Sequence, residues 1–211
     1  MKNVSTENYK NIIFDLGGVI LNIDFEKTTN TFMNLGVSNF EQLYSKAKQN
    51  NLFDDYESGK ISSDEFIFGI QKLVGISLTE QQIINAWNAL LLDLPEERLS
   101  LLNNLKKSHR LFLLSNTNDI HFKAFSAYLL KTFGSNDFSN YFEKEYYSFQ
   151  TGMRKPNAEI FELVLNENGL NKGETLFVDD TLRHIEGAKK VGIHTLHLTD
   201  GNTIVDIFGR K

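Results

Sequence analysis

Polar residues at four places along the chain have the types and the positions needed for chemistry. Three of the groups end short apolar segments, and the fourth precedes a proline and a predicted helix. The groups are Asp15 with Gly17 and Gly18, the run Ser115–Asn118, Lys155, and the pair Asp179 and Asp180. In open α/β sheets, ligands bind at the carboxyl ends of the strands. If the apolar segments are strands of one sheet, the four groups meet in a single site.

Phosphoryl transfer is the chemistry that this set of residues favours. Converging carboxylates with further oxygen ligands suit Mg²⁺, and Asp15 can attack phosphorus as a nucleophile to form an aspartyl-phosphate. Lys155, the Ser115 hydroxyl and backbone groups at Gly17 and Gly18 would stabilise the charge on the transferring group. Each residue taken alone also has a structural explanation, because Asp, Ser and Asn commonly occupy turns and helix N-termini. The combination favours a catalytic site.

The elements that must position these residues alternate between strand and helix. Four apolar segments have the composition of buried parallel strands. They are Asn11–Asp15, Arg110–Ser115, Thr175–Asp179 and His194–Leu198, and a weaker signal lies at Glu145–Phe149. Helical patterns separate them. The sequence therefore predicts an α/β protein with a doubly wound, Rossmann-like parallel sheet.

The connection between the first two predicted strands is too long for one crossover helix. Its amphipathic segments are Glu26–Leu35, Glu41–Gln49, Ser63–Val74 and Thr79–Leu91. Ser63 and Thr79 are predicted N-caps, because acidic or amide side chains follow each of them. We predict a small helical cap over residues 22–94, inserted into a core made of residues 1–21 and 95–211.

Composition limits the classes of function. The chain has 211 residues, 41% of them hydrophobic, which is enough for one domain with a modest insertion and a substantial core. A net charge of -5 argues against nucleic-acid binding, and no apolar run is long enough to cross a bilayer. The absence of cysteine excludes thiol catalysis, disulfides and cysteine-based zinc sites. We expect a cytoplasmic protein, monomeric, that binds a small molecule and neither nucleic acid nor membrane.

The order of the four groups, together with the helical insertion, resembles the haloacid dehalogenase superfamily of hydrolases, in its first subclass with a small helical cap. The segments FDLGGVILNIDF, YESGKIS, LLSNTN, GMRKP and IEGAKKVGI resemble the branch of bacterial sugar-phosphate phosphatases that includes glucose-1-phosphate phosphatases. The resemblance covers essentially the whole chain. It implies a Mg²⁺-dependent phosphatase acting on a small phosphorylated metabolite, with a sugar phosphate as the expected substrate.

The resemblance also implies a role for each motif residue. Asp15 would be the nucleophile, and Mg²⁺ would be held by Asp15, the Gly17 carbonyl and Asp180. Asp179 would lie beside the metal, either as a ligand through water or as a partner for Lys155. The phosphate-binding residues would be Ser115, Asn116, Gly18 and Lys155, with Lys155 bridging phosphate and nucleophile.

Two positions depart from the pattern of the superfamily. Its phosphatases commonly carry an aspartate two positions after the nucleophile as general acid and base, whereas this chain, like the sugar-phosphatase branch, has Gly17. Either the leaving group needs little protonation, as with a sugar 1-phosphate, or water or a cap carboxylate supplies the proton. His184 replaces the usual asparagine or aspartate. It either orients Asp179 or Asp180 or simply occupies the start of a helix.

Three cap residues are candidates for substrate contact. Asp24 lies just beyond the first glycine turn and could replace the missing acid. Glu57 either ends a helix or contacts the substrate. Trp87 either packs within the cap, which we favour, or stacks on a sugar.

Two other functions remain open from the sequence. A dehalogenase also lacks an acid two positions after its nucleophile, but a metal-free displacement does not require the pair Asp179 and Asp180. A non-catalytic protein that binds a phosphorylated ligand would not need the nucleophile, the lysine and the carboxylates all intact.

Overall fold

The computed structural model describes residues 8–40, 42–43, 51–199 and 201–209, and its core is a parallel sheet. The strands are β1 (Asn11–Phe14), β2 (Arg110–Ser115), β3 (Lys144–Tyr147), β4 (Thr175–Asp179) and β5 (His194–His197). In the described part of the chain they form one five-stranded sheet in the order β3-β2-β1-β4-β5, and all neighbours run parallel. The order reverses at β1, so the carboxyl ends of β1, β2 and β4 form the topological switch point where ligands bind in such sheets.

Helices lie on both faces of this sheet and in the segment between β1 and β2. They are α1 (Phe25–Asn34), α2 (Leu52–Glu57), α3 (Ser63–Val74), α4 (Glu80–Asn88), α5 (Glu96–Leu105), α6 (Asp119–Phe133), α7 (Ser148–Thr151), α8 (Ala158–Asn168), α9 (Leu182–Val191) and α10 (Ile204–Phe208). Ile12 and Phe14 pack on one face with residues of α5, α6 and α10, and Ile13 packs on the other with residues of α8 and α9. The predicted doubly wound fold is confirmed. Among the described residues, no helix has both the length and the apolarity to cross a membrane.

Helices α1–α4, which lie between β1 and α5, pack around a hydrophobic cluster of their own. Phe32, Phe66 and Trp87 are central to it, and Ile120 at the start of α6 also joins it. This region corresponds to the predicted cap, whose boundaries at residues 22 and 94 stay a prediction. The helix predicted over Glu41–Gln49 lies mostly outside the described residues.

Several predicted boundaries of secondary structure are wrong by one to three residues. The N-cap of α3 is Ser62, not Ser63, because Ser62 and Glu65 form a reciprocal capping box. The Thr79 N-cap of α4 is confirmed by a capping box with Gln82. The helix ends at Asn88 rather than Leu91, which instead forms a β-bridge with Ile23.

The fifth predicted strand, Glu145–Phe149, is also displaced. Strand β3 ends at Tyr147, and Ser148 and Phe149 belong to the short helix α7. The buried Ser148 hydroxyl hydrogen-bonds to the backbone of the loop after β2. The apolar pattern that predicts the strand carries no sign of this contact between Ser148 and a distant loop. The predicted strand therefore ends two residues too late.

Candidate active site

A buried lysine joins the ends of two neighbouring strands. Lys155 Nζ donates to Asp15 Oδ1 at 2.8 Å and to Asp179 Oδ2 at 2.7 Å. It also donates to the carbonyl of Leu114 at 2.9 Å. The Lys155 and Asp179 side chains are fully buried, and Asp15 is nearly so. Because a single buried charge is strongly destabilising, each of these three charges depends on the others.

Burial and mutual charge set the protonation of this cluster. Burial raises the pKa of Asp15 to about 7, although the charge on Lys155 opposes this shift. Burial also acts to raise the pKa of Asp179, but Lys155 and the hydrogen bond from His184 outweigh it and hold that pKa at about 2. Burial acts to lower the pKa of Lys155, and the two carboxylates reverse this and raise it. Lys155 and Asp179 are therefore charged at neutral pH, and a further cation beside Asp15 would favour its ionised form.

Three carboxylates at this edge of the sheet fit a hard cation. Asp15, Asp179 and Asp180 each offer an oxygen atom, and these atoms all lie within 4.8 Å of one another. That spacing and an all-oxygen set of ligands suit Mg²⁺. Asp179 is already engaged, because Lys155 contacts its Oδ2 and the Thr181 N–H donates to its Oδ1 at 2.7 Å. Of the two alternatives for Asp179, the geometry favours the partner of Lys155, which leaves Asp15 and Asp180 as the carboxylates best placed for a metal.

The two glycines that follow Asp15 in the chain, Gly17 and Gly18, differ in their surroundings. Gly18 has a φ of +76°, and a Cβ atom there would lie 2.2 Å from Asp180 Oδ2, so the backbone requires glycine. Its N–H donates to the Leu21 carbonyl at 2.8 Å, so in this conformation that group already has an acceptor other than phosphate. Gly17 lies outside the left-handed region, and a Cβ there would lie 3.1 Å from Ile23 Cδ1. The backbone conformation at position 17 therefore does not require glycine.

The loop after β2 holds Lys155 as well as lining the candidate site. Ser115 is buried at the end of β2. The Asn116 side chain forms two hydrogen bonds with the backbone of Lys155, accepting from its N–H and donating to its carbonyl, both at 2.9 Å. These two bonds form a clamp between the loop and the lysine. Each amide atom of Asn116 therefore already makes one hydrogen bond within the protein, and one N–H of its side chain is left for a ligand such as phosphate.

His184 lies against Asp179, as one of its two interpretations requires. Its Nδ1 lies 3.1 Å from Asp179 Oδ2 and 3.2 Å from Oδ1. Burial lowers the pKa of His184, although the hydrogen bond to Asp179 opposes this. A neutral ring that donates from Nδ1 satisfies this arrangement. His184 also occupies the first turn of α9, so both interpretations describe the same position.

A cavity of about 250 Å³ separates this edge of the sheet from the cap helices. Glu57, Trp87, Gly17, Ser115 and Asn116 all line it. Asp24 is absent from its lining, because its carboxylate caps α1 by accepting from the N–H of Glu26. Glu57 is also the last residue of α2, as one of its two interpretations requires, and its contact with a substrate stays a prediction.

Trp87 packs within the cap rather than presenting a free face. Its indole ring is sandwiched between Phe53, at 5.4 Å with an angle of 6°, and His121, at 5.2 Å with an angle of 11°. Phe66 packs against it at a tilt. Only the edge of the indole can meet a ligand, which argues against the stacking of a sugar on its face.

Two residues of the site, Arg154 and Ser148, were not predicted from the sequence. Arg154 lies in the quoted segment GMRKP and forms ion pairs with Asp54 at 2.5 Å and Glu57 at 2.6 Å, joining cap to core. Ser148 anchors the loop after β2. Arg154 carried a signal in its place beside Lys155, but its partners are about 100 positions away in the sequence, and no local pattern identifies them.

Comparison with known proteins assigns the family. A model of the haloacid dehalogenase-like hydrolases matches residues 9–192, which is most of the chain. The chain belongs to the haloacid dehalogenase-like hydrolases. It is 34% identical over 199 residues to a D-ribitol-5-phosphate phosphatase of Bacteroides thetaiotaomicron, a match that covers 91% of this chain and 93% of the relative.

Two further similar proteins extend this comparison. A sesquiterpene phosphatase of Aspergillus oryzae is 28% identical, and the match covers 91% of each chain. A crystal structure of a family enzyme from Bacteroides thetaiotaomicron, in complex with magnesium and inorganic phosphate, is 36% identical with a TM-score of 0.83. That match covers 95% of this chain and 99% of the other. The sequence-based assignment of fold and superfamily is confirmed.

Proposed function

We propose that this protein is a Mg²⁺-dependent phosphatase that hydrolyses the phosphate monoester of a small metabolite, in which a sugar or sugar alcohol is the leaving group. The observation that carries the proposal is the ion cluster at the switch point. The Asp15 carboxylate lies 2.8 Å from a fully buried lysine with the carboxylate of Asp180 close by, and the neighbouring residues Gly17, Ser115 and Asn116 line a cavity of about 250 Å³. The curated relatives that act on phosphate esters support this choice of reaction.

Asp15 is the proposed nucleophile. Its carboxylate attacks phosphorus, the bond between phosphorus and the ester oxygen breaks, and the leaving alcohol departs with that electron pair. Water then attacks the phosphorus of the aspartyl-phosphate, which releases inorganic phosphate and regenerates Asp15. Lys155 holds the carboxylate in place and neutralises charge on the transferring group. Asp179 holds Lys155 through an ion pair, and His184 contacts Asp179 in turn.

The acidic residues suit the proposed metal. Asp15, Asp180 and the carbonyl of Gly17 would hold Mg²⁺, which supplies positive charge for the phosphate oxygens when bound. Gly18 supports this assignment, because any side chain there would displace the Asp180 carboxylate. Ser115 and backbone groups of the loop after β2 would bind the remaining phosphate oxygens.

The proton for the leaving oxygen has no donor at position 17. Asp24 is not proposed for this role, because its carboxylate caps α1 and lies outside the cavity lining. A water molecule or a leaving group of low basicity, such as the anomeric oxygen of a sugar 1-phosphate, meets the requirement. General acid catalysis contributes roughly 10²–10⁴-fold, so turnover without it is slower but feasible.

The test is phosphate release from a panel of esters, with Mg²⁺ and with a chelator. The panel contains sugar 1- and 6-phosphates, sugar-alcohol phosphates, an alkyl phosphate, nucleotides and pyrophosphate. We expect release that requires Mg²⁺ and favours sugar or sugar-alcohol esters. Asp15→Asn should lower turnover by at least about 10⁴-fold while leaving the melting temperature within a few degrees, because it removes the nucleophile and keeps the shape. Turnover by this variant would refute the assignment of the nucleophile.

Two alternatives give different results in the same assay. Release of chloride from a 2-haloacid without added metal would identify a dehalogenase. Tight binding of a phosphorylated compound with no phosphate release at any pH would identify a non-catalytic binding protein. The intact ion cluster and the carboxylate pair at positions 179 and 180 favour the phosphatase over both.

A further inference from the structure

The cavity under the cap has mostly apolar walls. Its apolar side is formed by Leu21, Ile23, Phe25, Leu90, Leu91 and Phe125. Its floor is formed by the residues next to the proposed phosphate site, so the cavity is where the leaving group of the proposed reaction must lie. A leaving group with several hydroxyls needs hydrogen-bond partners there, because a buried hydroxyl without a partner is destabilising.

Two of the polar side chains in the walls are already engaged by the protein. Thr28 Oγ1 donates to the Trp87 carbonyl at 3.3 Å, and His121 Nε2 donates to the same carbonyl at 3.1 Å. The Nδ1 atom of His121 accepts from the Asn118 side chain at 3.0 Å. These groups tie α1, α4 and α6 together, and they leave little capacity for a ligand on that side of the cavity.

Glu57 differs from these residues, because one of its oxygens still lacks a donor. Its Oε2 accepts from Arg154 Nη2 at 2.6 Å, and within the described ranges Oε1 has no hydrogen-bond partner. Among the described residues, Glu57 contributes the only carboxylate to the cavity lining. A half-buried carboxylate with an oxygen that has no donor is a good acceptor for a hydroxyl group.

Contacts with the core fix Glu57 in this place. Its neighbour Tyr56 accepts a hydrogen bond from the Ile120 N–H at 3.1 Å through the phenol oxygen. Two residues further on, Gly59 has a φ of +66° and lies so close to the Phe149 carbonyl that a Cβ atom would be 2.1 Å from it. With Arg154 these contacts hold α2 against the core at three points. Glu57 is therefore part of a fixed wall of the cavity.

We propose that Glu57 is a specificity-determining residue, whose Oε1 accepts a hydrogen bond from a hydroxyl of the leaving group. Arg154 is its positioning residue, because it holds Oε2 and so directs Oε1 toward the ligand. The preferred esters then carry at least one hydroxyl on a carbon chain whose C–H faces contact the apolar walls. This inference rests on the proposed phosphatase function and names the group that selects the alcohol.

A matched pair of esters tests the proposal. D-ribitol 5-phosphate and n-pentyl phosphate have five-carbon chains and differ in their hydroxyls. We expect the wild-type protein to prefer the ribitol ester, and Glu57→Ala to reduce that preference, the ratio of the two kcat/KM values, by about 10- to 100-fold. The loss should lie in KM for the ribitol ester, because the hydrogen bond is made before and during the reaction. Activity on the pentyl ester should stay within about threefold.

Three further variants keep the result interpretable. Glu57→Gln preserves shape and one acceptor, so we expect a smaller loss, near tenfold. Arg154→Met should lower the same ratio, because Oε2 of Glu57 loses the donor that holds it. Asp54→Asn is the matched control, because Asp54 pairs with Arg154 but is 48% exposed and lies outside the cavity lining. Its ratio should equal that of the wild type.

Two outcomes would overturn the proposal, and a third concerns the reaction itself. An equal loss on both esters in Glu57→Ala would make Glu57 a structural residue. An unchanged ratio of the two kcat/KM values in Glu57→Ala would show that Glu57 does not bind a hydroxyl of the leaving group. If the wild-type protein released phosphate from no ester of the panel, the proposed function would fail, and the role of Glu57 in it would fail with it.

Discussion

Two adjacent cations hold the two halves of the site in different ways. Lys155 is fully buried and donates to Asp15, Asp179 and a backbone carbonyl at the end of the sheet. Arg154 is 16% exposed and pairs with Asp54 and Glu57 of the cap, which are 48% and 28% exposed. Water screens the second set of charges but not the first. The sheet edge is therefore a charge cluster that depends on its central cation, whereas we expect the cap contact to be altered with a smaller loss of stability.

The largest expected difference between the two regions is in stability. Lys155→Met leaves two buried carboxylates without their cation, so we expect the free energy of unfolding to fall by about 3–5 kcal/mol. Arg154→Met removes a partly exposed pair of contacts and should cost no more than about 1–2 kcal/mol. Urea unfolding of both variants at pH 7.5 in metal-free buffer measures the contrast. Equal losses would mean that the two regions do not differ as described.

The cap side has a titratable group of its own in His121. Burial lowers the pKa of His121 to about 4, against an ordinary value of 6.5. Below pH 6.5 the unfolded chain takes up a proton at this residue while the folded chain does not, so stability is lost as the pH falls from 6.5 to 4. That difference between the two pKa values is worth about 3 kcal/mol.

The comparison with His121→Gln isolates this contribution. Urea unfolding at pH 7 and pH 4 should show that the wild-type protein loses about 3 kcal/mol more than the variant does. Carboxylates elsewhere titrate in both proteins and cancel in the difference. A variant that lost as much stability as the wild type over this range would contradict a neutral, buried His121.

The smallest predicted effect separates the two glycines beside the nucleophile. Gly18→Ala places a Cβ atom in the left-handed region and against Asp180, and we expect it to cost about 1–2 kcal/mol of stability and to weaken Mg²⁺ binding. Gly17→Ala meets only the flexible end of Ile23 and should change stability by less than about 0.5 kcal/mol. Calorimetric titration with Mg²⁺ and thermal melts measure both effects. A larger loss of stability or of Mg²⁺ affinity in Gly17→Ala than in Gly18→Ala would contradict this prediction.

The sequence predicted the sheet edge better than the cap side, and the reason is physical. Strands β1, β2 and β4 are short apolar runs, and each carries its functional residue at or just after its last position. A parallel sheet then brings those positions together by its topology alone. Asp15, Ser115 and Asp179 could therefore be located without knowledge of any side-chain contact.

The cavity could not be predicted in the same way. Its walls come from several helices whose relative placement depends on packing, and apolar residues in the lining look like any other core residues in sequence. Arg154 pairs with Glu57, and both Thr28 and His121 donate to the Trp87 carbonyl. These are contacts between segments that are distant in the sequence. The error at Ser63 is of a simpler kind, because two adjacent serines compete for one N-cap and only the three-residue spacing to Glu65 decides between them.

The clamp formed by Asn116 has a mechanical consequence. Arg154, one of the residues that join the cap to the core, directly precedes Lys155 in the chain. The Asn116 side chain grips the backbone of Lys155 on both sides of its α-carbon, at the N–H and at the carbonyl, and so resists displacement of that residue. These two bonds fix the Lys155 backbone next to the ion pair in which its Nζ lies 2.8 Å from Asp15 Oδ1. The contact that holds the cap and the contact that aligns the buried charges are therefore made by neighbouring residues with separate sets of partners.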